Sequence, residues 1–307
     1  MKKFIINITF ITLLFVAVDK VFLFVEAKSP DLEFDQRLDK MMKGEMNYDL
    51  VIFGSSRSAR AILASEVENE LGVSSYNMSY QGSNTDFHEF IMRMYFTHNT
   101  VPKLVVLGMD DYNSFIREKT VFRADKLYPF TKYPEIIQEL VDRREKIAGI
   151  STILSSHRIN RRALLFQKRK PTKFNRLTTH GSIIIEGSEE KFMANQVEFD
   201  SLTIKYPFKE ESDTLIQKYS DMIALCDSFK TELLIVVPPN YRPFTKEFRT
   251  RLEQLTSNRA RIYYCDEEKA VYKDKQNFYD AEHLNVQGAR YYTEDFIAFV
   301  KENYSFN

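Results

Sequence analysis

The stretch DLVIFGSSRSAR, residues 49–60, decides how this chain is read. Leu50-Val51-Ile52-Phe53 is a short, unbroken apolar run that ends at a glycine. It predicts a strand buried on both faces, as in a parallel sheet. Apolar residues then recur at 62, 63, 67 and 71, which predicts a helix over 59–71. Between the two stand Gly54, Ser55, Ser56 and Arg57. A serine there serves one of two ends. It caps the helix, or it is a nucleophile at the mouth of a sheet, where free N–H groups and the helix dipole favour developing negative charge.

The alternation continues outward. Further strands are predicted over 73–80, 102–110, 231–239 and 261–266. Helices are predicted over 85–96, with Thr85 as cap, and over 212–230, 245–257 and 286–304. Buried strands alternating with helices predict an α/β fold. The expected form is a three-layer α/β/α sandwich on a five-stranded, parallel, doubly wound sheet, with functional loops at the carboxyl ends of the strands. The interval 112–211 breaks the pattern and predicts a long insertion after the third strand, with a helix over 134–154. Between residues 146 and 185 it carries nine Lys or Arg and no acid. That composition fits a solvated basic face, or a surface for anionic phospholipid heads or an anionic glycan.

Length and composition bound the function. The 307 residues, 44% hydrophobic, suffice for one large α/β domain. Lys+Arg and Asp+Glu both number 43, so net charge points to no partner, and nucleic acid is not expected. Cys226 and Cys265 are too few for a disulfide framework; they read as buried thiols or one mutual bridge. No HExxH, Walker loop or GxGxxG occurs, and the histidines do not fall at metal-ligand spacing, so neither metal nor cofactor is expected.

Lys2 and Lys3 precede fifteen uncharged residues, 4–18; the pair Asp19-Lys20 follows, then VFLFV at 21–25. The basic start predicts that residues 1–27 send the rest of the chain across a membrane. Residues 4–25 read as an uncleaved single-pass anchor of the inner membrane, with the main domain on the extracytoplasmic, periplasmic side. Two other readings are a cleaved signal ending at Val25-Glu26-Ala27 and a buried helix of a cytosolic protein. Residues 28–48 read as a polar lead-in stalk, and 49–307 as the α/β domain.

A serine nucleophile needs a base. In NFYDAEHLN, residues 277–285, Asp280 and His283 lie three apart just before the last helix. One short loop can then hold both, with the carboxylate gripping one imidazole nitrogen and the other facing outward. Nucleophile first and Asp-x-x-His last is a chain order that builds this triad.

These blocks resemble the SGNH/GDSL hydrolase superfamily. Gly54-Ser55-Ser56 is similar to its Gly-Asp-Ser block, with Ser56 at the nucleophile and Ser55 in place of aspartate. Gly82 in YQGSN matches the glycine whose N–H joins the oxyanion hole. Asp280 and His283, followed by Leu284-Asn285, match the last block. The third block, Gly-x-Asn-Asp, reads Gly108-Met109-Asp110-Asp111, so a carboxylate stands where an amide would donate. The resemblance implies a flavodoxin-like fold and an oxyanion hole of the Ser56 and Gly82 N–H groups, with Asn84 or Asn113 supplying an amide. Within the superfamily the chain looks most like the membrane-anchored, exported branch of D-alanine transfer and alginate O-acetylation proteins. That implies an acylated envelope glycan or related ester as substrate and a membrane-bound O-acyltransferase as partner.

The function expected is therefore an envelope-tethered serine esterase or O-acyltransferase. Arg57 beside the nucleophile pairs with Asp110 or Asp111, or else contacts substrate together with Asp110 and Asn113. The alternative is a non-catalytic scaffold that keeps the fold and binds an anionic glycan or a membrane acyltransferase.

Overall fold

A computed structural model describes residues 1–117, 119–145, 149–159, 161–195, 198–199 and 205–306. The chain divides into two compact units. One comprises Met1–Lys43 and Arg123–Pro171; the other comprises Gly44–Phe122 and Thr172–Asn307.

The first unit holds helix α1, Lys2–Lys28, long and apolar enough to cross a membrane or serve as a signal sequence. The segment after it holds a 3₁₀ turn, Pro30–Leu32, and a six-residue α-helix, Arg37–Met42. The helix predicted over 134–154 spans only Pro134–Asp142; Gly149–Thr152 and Ser155–Arg158 are single 3₁₀ turns, and residues 146–148 lie outside the described residues.

The second unit is built on a five-stranded, all-parallel sheet: β1 (Leu50–Phe53), β2 (Ser75–Asn77), β3 (Leu104–Gly108), β4 (Glu232–Val237) and β5 (Arg261–Tyr264). The order is β2-β1-β3-β4-β5, with Leu50 facing Ser75 on one side and Leu104 on the other. Every residue of β1 and β3 is buried, as expected of strands covered on both faces. The connecting helices are α2 (Ser56–Ala61), α3 (Ala64–Leu71), α4 (Thr85–His98), α5 (Asp213–Phe229), α6 (Lys246–Thr256) and α7 (Val286–Asn303). Helices α2 and α3 pack with α7, while α5 packs with α4 and α6, which is consistent with three layers. The strand order reverses between β1 and β3, and such a reversal opens a crevice at the carboxyl ends of the strands.

Two expectations for this unit differ as well. The helix expected over 59–71 is broken at Ile62-Leu63. Asn77 Nδ2 and Ser182 Oγ donate to the Ile62 carbonyl at 3.1 and 2.8 Å, and Leu63 N–H donates to Thr293 Oγ1 at 3.0 Å. Side chains from elsewhere thus take the bonds that a continuous helix would make with itself. Thr85 is not the cap of α4. Asn84 Oδ1 accepts the Phe87 N–H at 3.0 Å, and Thr85 Oγ1 donates to the Ser114 carbonyl at 2.6 Å. Cys226 and Cys265 are buried free thiols, not a mutual disulfide.

Candidate active site

Strand β1 ends at Gly54, whose φ of +153° lies outside the range that side chains favour. A Cβ there would stand 2.5 Å from Ser58 Oγ, so the turn into α2 requires glycine. The chain then reverses within two residues, and the two serines separate. Ser55 is the N-cap: its Oγ accepts the Arg57 N–H at 3.2 Å and donates to Asp110 Oδ1 at 2.6 Å. Ser56, one residue on, turns its Oγ the other way, to within 2.9 Å of His283 Nε2.

His283 comes from a small antiparallel hairpin, β6 (Phe278–Asp280) and β7 (His283–Leu284). Its Nδ1 lies 2.8 and 3.0 Å from the two Asp280 oxygens. The Glu282 N–H also donates to Asp280 Oδ1 at 2.8 Å, which fixes the carboxylate within its own turn. Burial works to raise the Asp280 carboxyl, but the His283 ring and the Glu282 N–H outweigh it and hold it below the usual range. Asn285 Oδ1 caps α7 by accepting the Gln287 and Gly288 N–H groups, so His283 sits two residues ahead of a fixed helix start. The hairpin is also held from outside: the Glu189 N–H donates to the Tyr279 carbonyl at 2.7 Å.

Ser56, His283 and Asp280 therefore meet in one hydrogen-bonded line. The other predicted site residues are placed as follows. Gly82 is exposed, with φ of +67°, third residue of a turn closed by the Ser83 N–H to the Tyr80 carbonyl at 3.4 Å. A turn of that kind wants glycine for its own geometry. The segment lies against the β1 end, since the Tyr80 N–H donates to the Gly54 carbonyl at 2.9 Å. Among the described residues the Ser56 and Gly82 N–H groups meet no acceptor. Asn84 spends its side-chain oxygen on the α4 cap. Asn113 is half-buried, and its Oδ1 has no partner among the described residues.

Arg57 does not pair with Asp110 or Asp111. It is buried and ion-paired to Glu282, and Asn240, with its amide oxygen turned inward, accepts from Arg57 Nη1 at 3.0 Å. A guanidinium so enclosed is part of the site's frame rather than a free hand for substrate. Arg242 Nη1 reaches the same Glu282 at 2.8 Å and lies over the Tyr112 ring. Asp111 instead accepts from the Thr245 N–H and Oγ1, at 3.2 and 3.0 Å. Burial holds the Asp110 and Asp111 carboxyls above their ordinary range, against the pull of Arg57. Glu282, Asn240 and Arg242 were missed from the sequence. The one available signal was Glu282 itself, an acid lodged between Asp280 and His283.

A pocket of about 720 Å³ reaches the triad hairpin through Tyr279, with Phe174, Lys173, Arg176 and Glu189 also in its lining. The Phe174 and Tyr279 rings meet edge to face at 5.8 Å. Among the described residues no cluster of His, Cys, Asp or Glu is arranged to hold a metal ion.

Neither the family models nor the curated proteins searched contain a match to this chain.

Proposed function

We propose that the chain is a serine esterase or O-acyltransferase working on acyl esters through Ser56, His283 and Asp280. The supporting observation is the 2.9 Å approach of Ser56 Oγ to His283 Nε2, with Asp280 behind the ring. In this reading Ser56 Oγ attacks the acyl carbonyl as His283 takes its proton, and Asp280 stabilises the imidazolium. The unengaged Ser56 and Gly82 N–H groups are the donors for the oxyanion. His283 returns the proton to the departing alcohol, leaving an acyl ester on Ser56. Water or a sugar hydroxyl, deprotonated by His283, then takes the acyl group. The pocket beside Tyr279 offers room for that acceptor.

The family reading is an SGNH-type hydrolase of flavodoxin-like fold, from the membrane-anchored branch that modifies envelope glycans beside a membrane-bound O-acyltransferase. It rests on the four blocks around Ser56, Gly82, Asp110 and Asp280-x-x-His283 and on the β2-β1-β3-β4-β5 sheet. In the same reading α1 is a retained inner-membrane span and the α/β unit is extracytoplasmic. A second reading, binding without turnover, draws on Asp110, where a carboxylate fills the place of an amide donor.

The experiment uses the full chain in detergent with p-nitrophenyl acetate and a fluorophosphonate probe. Ser56→Ala is expected to abolish both labelling and turnover, and Asp280→Asn to cut turnover about a thousandfold or more with labelling slowed. Labelling that survives in Ser56→Ala would sink the assignment. An unlabelled, inactive wild type that still binds glycan would favour the scaffold.

A further inference from the structure

Ahead of its first acid, the apolar run of α1 covers residues 4–18. At a rise of ~1.5 Å per residue this is about 22 Å, short of the ~30 Å hydrocarbon core of a bilayer. Extending the run to Val25 gives about 33 Å, which crosses, but carries Asp19 to the depth of the lipid and Glu26 to its edge. The two acids are seven residues apart and so share one helix face.

That face is covered from within the same unit. Asp19 and Glu26 are each only 2% exposed. The Ser155 and Ser156 N–H groups donate to Asp19 at 2.8 and 2.9 Å, Lys20 Nζ donates to the Ile153 carbonyl at 3.0 Å, and Arg158 Nη1 lies 3.3 Å from both Glu26 oxygens. Away from it, Val21 and Phe24 stay exposed. The covering segment has an outer surface that does not suit water. Ile150, Ile153, Leu164, Leu165 and Phe166 are all exposed, and Arg162, Lys168 and Lys170 are exposed beside them. Bare carboxylates are costly at membrane depth. Irregular backbone is tolerated there only when its polar groups are satisfied by protein. Large apolar side chains mixed with Lys and Arg suit the boundary between acyl chains and headgroups.

We propose that residues 149–159 and 161–170 form a collar in the headgroup–acyl boundary around the carboxyl end of α1. The collar sheathes Asp19 and Glu26, dips Ile153 and Phe166 into lipid, and sets Arg162, Lys168 and Lys170 against lipid phosphates. This rests on the reading of α1 as a retained membrane span, and the test separates the two.

The chain contains no tryptophan, so each substitution introduces a single indole, which is excited selectively at wavelengths where tyrosine does not absorb. Ile153→Trp, Phe166→Trp and, within the span, Phe10→Trp are made in the full chain and reconstituted in phosphatidylcholine–phosphatidylglycerol vesicles. All three positions are exposed, so the unit should fold with them. The expected result is blue-shifted emission from all three. Lipid brominated near the chain ends should quench Phe10→Trp most, and lipid brominated near the glycerol should quench Ile153→Trp and Phe166→Trp most. Water-like, unquenched emission from the latter two, with Phe10→Trp quenched, overturns the collar alone. Blue-shifted emission that brominated lipid leaves untouched means that protein covers the patch, and overturns it as well. An unquenched Phe10→Trp removes the span, and the collar with it.

Discussion

Ser55 and Ser56 stand side by side and do different things. Ser55 Oγ closes the helix cap and donates to Asp110, while Ser56 Oγ faces His283. The cap, which the sequence offers to either serine, falls on Ser55, and the contact with His283 falls on Ser56. Asp110 is then tested by Asp110→Asn. The amide oxygen keeps the Ser55 contact, and the amide nitrogen adds a donor where a carboxylate had none. The expected gain in kcat/KM toward p-nitrophenyl acetate is about tenfold or more, since one such donor commonly carries two orders of magnitude. Stability gives a second readout. The Asp110 carboxyl lies above its ordinary value near 3.8 in the folded chain, because burial penalises its charge. Asp110 therefore costs the wild type stability as pH rises from about 4 through the folded value, a contribution that the asparagine variant lacks. Its thermal midpoint should exceed that of the wild type at neutral pH and match it near pH 3.

Helix α4 carries a second buried group with a consequence for pH. His88 Nε2 lies 2.8 Å from Ser83 Oγ, which ties the helix to the turn that holds Gly82. Burial pushes the His88 imidazole down to about 3 from its ordinary 6.5. The folded chain keeps this ring neutral while the unfolded chain takes up a proton below about 6.5. Stability is thus full above that pH and falls as pH drops toward 3, by up to about 1.4 kcal/mol per pH unit. Urea midpoints at pH 7 and pH 5 should differ measurably in the wild type and less in His88→Gln. The strands were legible because β1, β3 and β4 are short apolar runs between turn residues. The break between α2 and α3 was not, because Ile62, Leu63, Val67 and Leu71 keep one apolar rhythm through it. What breaks the helix is Asn77, Ser182 and Thr293, which no local pattern can announce. The choice of Asn84 over Thr85 as cap is the same kind of fact, since both residue types cap well.

Across the whole chain, the basic start and apolar composition make α1 long and apolar enough to cross a membrane or to serve as a signal sequence. A retained span predicts that the mature chain begins at Met1 and stays in the pellet after alkaline carbonate extraction. Intact mass and blotting of the two fractions check this, and a soluble chain beginning near Lys28 would mark a cleaved signal instead. The polar grip of residues 153–158 on Asp19, Lys20 and Glu26 would be lost on such cleavage. Of the candidate site, Ser56, Asp280 and His283 could be proposed from the sequence because Asp-x-x-His is a local pattern. The pairing of Arg57 could not, because its partner lies 225 positions away and nearer acids, Asp110 and Asp111, compete for it on paper. That partner bears on how the site moves. Glu282 precedes His283 in the chain, and Arg57 follows Ser56, so the two segments of the site are fastened at adjacent points, one by charge and one by the Ser56–His283 contact. His283 cannot swing away from Ser56 without straining the Glu282 clasp on Arg57 and Arg242. Opening of the Ser56–His283 contact is thereby made a joint event of the turn into α2 and the hairpin, and amide exchange in the two segments should rise and fall together.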